Sequence, residues 1–172
     1  MKHHTKYLVA TCVAALLPAL AHADILRVEI KGVVDYIVIG GSMAGVAAGA
    51  PAVMAFKRDS NNFADSANYP TRGYAIDLPS FSMTVDGRPV VMDIPQPNGA
   101  QSYFVLRNND PGVDGFFISP GTEVYAPLSV HIPGVNPAHE LDFHVTYGNT
   151  TTLNSLNIEI PFPQRVMRTV PV

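Results

Sequence analysis

The sequence predicts an all-β protein, an antiparallel β-sandwich of jelly-roll-like or Ig-like build, and three observations predict it. Beyond residue 23 there are 18 Val and 10 Ile against 7 Leu, and β-branched side chains suit pleated surfaces while losing χ1 freedom in helices. Pro and Gly number 14 and 13 in the same stretch and fall at intervals, as turn punctuation does. Several segments alternate apolar and polar residues with period two, and none carries a capped helical stripe.

The first element is an export signal. Lys2 and Lys6 form a short positive region, Tyr7 to Leu20 is apolar, and Ala21-His22-Ala23 fits small-x-small cleavage before Asp24. About 14 apolar residues fall short of the roughly 20 that span a bilayer, so cleavage is expected rather than anchoring. Residues 1–23 are thus read as a cleavable signal peptide and 24–172 as a single β-sandwich domain, periplasmic or extracellular. That length suffices for a real core. Cys12 lies within the signal, so the mature chain has no cysteine, which excludes disulfides, zinc–thiolate sites and thiol catalysis. Nine basic and fourteen acidic residues, spread without blocks, argue against nucleic-acid partners and anionic membrane surfaces.

A first strand is expected over Ile25–Val34, running on toward Ile39. Gly40 and Gly45 after an apolar run are similar to the first turn of a flavin- or nicotinamide-binding Rossmann domain, but Ser42 occupies the middle glycine position. Gly49 and Pro51 interrupt the helix that such a motif needs. Tyr36 to Phe56 is also 21 residues without a charge, with Gly41, Gly45 and Gly49 in small-xxx-small spacing. It has no Leu, four Gly and a Pro, which makes a poor membrane span. The expectation is a Gly/Ala-rich connector, with Pro51 opening the next strand, Ala52–Arg58.

The sharpest local prediction follows. Phe81–Val85, Asp86-Gly87 and Arg88–Ile94 read as a hairpin, because both residues of a two-residue Asp-Gly turn favour positive φ. Closing it there pairs Val85 with Arg88, Met83 with Val90 and Phe81 with Met92, so that the apolar residues share one face. A second hairpin joins Ser102–Arg107 to Val113–Ser119 through Asn108–Gly112. Leu141–Tyr147 reads as one strand, with Leu141, Phe143, Val145 and Tyr147 inward and Asp142, His144 and Thr146 outward. Further strands are expected near Tyr74–Leu78, Val124–Ile132 and Leu156–Ile160.

The connector and its successor carry a resemblance. Gly45-Val46-Ala47-Ala48-Gly49-Ala50-Pro51-Ala52-Val53-Met54-Ala55-Phe56, then Asp59, resembles a pattern in PEP-CTERM-associated secreted bacterial proteins, where Gly-x-x-x-Gly-x-Pro precedes an alternating strand and an acidic turn. Tyr74–Val85, Tyr103–Asp110 and Asp114-Gly115-Phe116 look like later strands of the same architecture. The resemblance covers roughly residues 25–120 and implies an exported β-sandwich associated with envelope and exopolysaccharide. The chain departs from the pattern after Pro163, where no apolar sorting helix follows. The family supplies no functional residues to carry over.

Candidate chemistry is sparse. Asp59, Asn61 and Asp65 are candidate Ca²⁺ ligands, since hard cations favour carboxylate and carbonyl oxygens, although the segment lacks the glycine and closing Glu of an EF-hand loop. Asp110 and Asp114 flank a second oxygen-rich turn. His139-Glu140-Leu141-Asp142-Phe143-His144 nearly matches a zinc signature, but its second His falls one place late and the alternation is that of a strand. Glu140, Asp142 and His144 share a polar face, and His131 is the partner they would need from elsewhere. No Gly-x-Ser-x-Gly elbow occurs. The expected function is therefore a non-enzymatic envelope or extracellular-matrix binding or structural module, with a glycan or envelope component as partner. A carbohydrate-active hydrolase with a carboxylate pair is the alternative, and a flavin- or nicotinamide-binding protein a remote one. No catalytic or cofactor-binding residue is assigned.

Overall fold

The computed structural model describes residues 24–34, 43, 45–123, 126–134, 139–148, 151–159 and 167–171. It contains ten strands: β1 (Ile25–Val33), β2 (Pro51–Asp65), β3 (Thr71–Val85), β4 (Arg88–Met92), β5 (Tyr103–Arg107), β6 (Asp114–Ser119), β7 (Leu128–His131), β8 (His139–Leu141), β9 (Phe143–Tyr147) and β10 (Met167–Pro171). All pairings are antiparallel. The fold is all-β and sandwich-like, as the alternation predicts. The sheet branches at β3: one path runs β10-β1-β2-β3-β5-β6-β9, the other leaves β3 through β4 to β7 and β8. The signal segment lies outside the described residues.

The Asp86-Gly87 hairpin forms in the predicted register, with Val85 opposite Arg88 and Met83 opposite Val90. Both turn residues sit at positive φ, 53° and 73°, as the twist of a two-residue hairpin requires. The third expected pair, Phe81 with Met92, does not form, and Met92 pairs across its other edge with Val130 of β7. The 102–119 hairpin also forms, pairing β5 with β6 in unbroken register.

Four expectations are corrected. Strands expected at Tyr74–Leu78 and Phe81–Val85 are one strand, β3, and β2 extends to Asp65 instead of ending at Arg58. A proline cannot donate to a ladder, and Pro79 is absorbed where the β2–β3 register shifts between Ala55 and Lys57. There the Lys57 N–H donates to the Ser80 hydroxyl (2.7 Å), which donates to the Asp77 carbonyl (2.6 Å). Leu141–Tyr147 divides at Asp142, with β8 pairing β7 and β9 pairing β6. Finally, residues 156–159 form no strand, because side chains compete for the backbone. The Asn157 N–H donates to Ser155 Oγ (2.9 Å) and the Glu159 N–H to Asn157 Oδ1 (3.0 Å).

One apolar core joins both branches, with Val28, Phe56, Phe104, Phe116 and Ile118 packed alongside Val90, Leu128 and Val130. Phe104 and Phe116 are fully buried, each contributing on the order of 1.5–3 kcal/mol of transfer free energy. Their rings continue a tilted series, Phe56–Phe104 at 5.4 Å, Phe104–Phe116 at 5.3 Å and Phe116–Phe143 at 6.1 Å. The Val34 N–H donates to the Ala50 carbonyl and the Gly49 N–H to the Val34 carbonyl, so the connector leaves and returns at the same point. Its Met43 and Val46 pack into the core. Gly45 and Gly49 adopt φ of 84° and 85°, and Pro51 opens β2 as expected, so no helix runs through residues 45–51. Gly40 and Ser42 lie outside the described residues.

Candidate functional site

Among the described residues, a cleft lies on the second branch, where β7 and β8 meet the loop after β4. It encloses about 470 Å³. Gln96, Pro97, Asn98 and Ala100 form one wall, Pro120 and Pro127 the rim, and Ser129, His139 and Glu140 the sheet side. Ser129 and Glu140 are cross-strand partners, so their side chains share the outer face.

Gln96 fixes the loop wall. It is buried, and its side-chain amide donates to the carbonyls of Asp93 (2.8 Å) and Ser129 (2.9 Å) while accepting from the Ser129 N–H (2.9 Å). An amide side chain has a donor end and an acceptor end. Gln96 therefore satisfies backbone groups of both β7 and the loop, standing in for a missing strand residue. Pro95, Pro97 and a 3-10 turn at Pro97–Gly99 leave that wall little conformational freedom.

Behind this wall, Asp93 gathers two side chains from β7. The Ser129 hydroxyl donates to Asp93 Oδ2 (2.5 Å), and His131 Nδ1 contacts Oδ1 (2.6 Å). The Ser129 bond, then the His131 bond, holds the Asp93 carboxyl below the usual carboxylate range. A carboxylate only accepts, so His131 donates to it from Nδ1. Nucleophilic catalysis needs a hydroxyl that gives its proton to a base in turn oriented by a third group. Here Ser129 and His131 both bond the same carboxylate, and the Ser129 proton is committed to Asp93. His139 Nε2, in the cleft wall, is buried without a hydrogen-bond partner among the described residues.

The sequence-predicted residues fall in different places. Asp59 and Asn61 stand together within β2, with the Asn61 N–H donating to Asp59 Oδ1 (2.8 Å). Asp65 is at the far end of β2, its two oxygens bonded by Arg72 Nε (2.6 Å) and Nη2 (2.9 Å). Asp114 is fully buried and accepts from the N–H groups of Asn109 (2.9 Å), Thr152 (2.8 Å) and Leu153 (2.8 Å). It clamps two loops. The break at Asp142 separates Glu140, which faces the cleft, from His144, which goes with β9 and approaches Asp142 at 3.7 Å. His131 joins Asp93 instead of completing that face. Among the described residues no three His, Asp or Glu side chains converge as a metal site.

Sequence reasoning missed Gln96, Asp93 and Ser129. The only signal was the dense Ile94-Pro95-Gln96-Pro97-Asn98-Gly99 run, in which one amide stands between two prolines. Among the described residues no helix is long and apolar enough to cross a membrane. Compared with known proteins, the chain matches no family model, no curated protein and no solved structure.

Proposed function

We propose that the protein is an exported, non-enzymatic binding module of the cell envelope or extracellular matrix, and that the cleft beside Gln96 seats its ligand. One observation carries this reading: the buried Gln96 amide braces the loop wall of the cleft, and Glu140 is the single carboxylate among its described lining residues. A braced wall with hydrogen-bonding side chains at Asn98 and Glu140 suits a polar ligand such as a glycan segment. The resemblance to PEP-CTERM-associated proteins agrees with that setting. The test is calorimetric titration of the purified protein with envelope and exopolysaccharide fractions. Binding is expected, with E140Q weakening it at least tenfold. Absence of binding to every fraction, or E140Q binding like the wild type, refutes the reading.

A carbohydrate-active hydrolase is the second reading, and one observation favours it. Asp93, one residue past β4, and Glu140 of β8 flank Ser129 of β7 on opposite sides, so their backbones are two strand spacings, roughly 9–10 Å, apart. Two carboxylates with a gap for water are what inverting glycoside hydrolysis uses. Against it, both Asp93 oxygens are already bonded by protein groups. Release of reducing ends, lost in both D93N and E140Q, would replace the binding reading with this one.

A further inference from the structure

Arg58 stands on the inward face of β2, between Leu26 of β1 and Ile76 of β3 in the ladder. At 1% exposure it is the largest fully buried side chain among the described residues. Its guanidinium carbon lies 4.5 Å from the centre of the Tyr74 ring. Among the described residues none of its three side-chain nitrogens has a hydrogen-bond partner. Burial draws its pKa down to about 10. A buried cation normally keeps a hydrogen-bonded counter-charge, and one aromatic face is a weak substitute.

We propose that Arg58 is the receptor of an oxyanion site, taking the carboxylate or phosphate group of a small ligand, with residues 151–159 as its cover. The guanidinium fork matches planar carboxylate and phosphate oxygens in a bidentate contact. The covering segment is tied at one end to Asp114, through the Thr152 and Leu153 N–H groups. At the other end it is tied to Tyr74, whose hydroxyl donates to the Leu156 carbonyl (2.7 Å) and accepts from the Ile158 N–H (3.2 Å). The ring beneath the guanidinium is thus also the latch of the cover, so ligand entry and latch release are coupled. Asp59, its chain neighbour, and Glu159, exposed at the end of the segment, favour the charged guanidinium electrostatically without bonding it, and an incoming anion competes with both carboxylates. None of these residues lines the cleft, so this site stands or falls separately from the proposed binding function.

The test is thermal unfolding of the full chain in sodium phosphate, sodium acetate and sodium chloride at equal ionic strength. The wild type should gain a saturable rise of its midpoint in phosphate or acetate over chloride, about 2–4 °C at about five times the dissociation constant. R58M should be as stable in chloride or more so, and should show no anion response. E159Q should respond at least as strongly as the wild type. Equal wild-type midpoints in the three salts, an R58M response matching the wild type, or loss of the response in E159Q would each overturn the site. If R58M fails to fold, the Nε–Hε resonance of Arg58 followed through a phosphate titration of the wild type decides instead: a saturable shift supports the site and a static resonance refutes it.

Discussion

Replacing Asp114 by alanine should loosen the junction of two loops, and the structure sets the scale. The carboxylate is fully buried and accepts three backbone N–H groups, from Asn109, Thr152 and Leu153. Leu153 is itself buried and Thr152 half-buried, so in D114A both N–H groups lose their acceptor with limited access to water. Each such orphan costs about 1–3 kcal/mol. Asn109 is exposed, and its N–H turns to solvent at little cost. The expected loss is about 3–5 kcal/mol, which for a domain of this size lowers the unfolding midpoint by about 10 °C. D114N keeps the shape and one acceptor oxygen, and should lose roughly half as much. Far-UV circular dichroism through a urea titration is the assay, since the chain has no Trp to report by fluorescence. If D114A stays within about 1 kcal/mol of the wild type at an unchanged m-value, the carboxylate does not hold the loops, and the reasoning fails.

Other expectations follow from the same structure. A Cβ at Gly115 would stand 2.1 Å from the Val145 carbonyl oxygen, whereas one at Gly32 would meet nothing within 4 Å; G115A should part β6 from β9 and cost more than about 3 kcal/mol in urea unfolding, while G32A changes stability by under about 1 kcal/mol. G87A places a side chain at φ 73° and should cost about 1–2 kcal/mol by the same measurement. The Lys31 and Arg27 bonds lower Glu29 from an ordinary 4.5 to about 2. Stability from that ion pair is therefore complete above pH 4.5 and lost as pH falls toward 2; E29Q should flatten the urea midpoint across that window. Asp93 is lowered in the same sense by Ser129 and His131, so D93N should also blunt the acid loss, read the same way.

How far the fold could be read from the sequence depended on the range of the cause. The Asp86-Gly87 turn is fixed by two adjacent residues whose positive φ is a local preference, so its register was legible to the residue. The unity of β3 was not, because Pro79 reads as a break in isolation, and only the β2 ladder with its Ser80 side-chain bond carries the strand past it. The division at Asp142 was hidden for a related reason. Alternation continues unbroken through Leu141, Phe143 and Val145, since both halves bury the same parity of residues, and only pairing distinguishes them. The cleft was the least legible feature. Gln96, Ser129 and Glu140 come from three separate stretches, and the bond that organises them, amide to backbone, leaves no pattern in residue type. Asp114 was noticed for its chemistry, but its role depends on backbone groups nearly forty positions away.

The divided allegiance of β3 has a mechanical consequence. Its first residues pair with β5 and its last with β4, while β2 runs along the opposite edge of both halves. Neither leaf of the molecule can peel away or shear against the other without snapping this shared spar. A steady pull applied to either leaf should therefore give one abrupt rupture instead of a staircase of partial extensions.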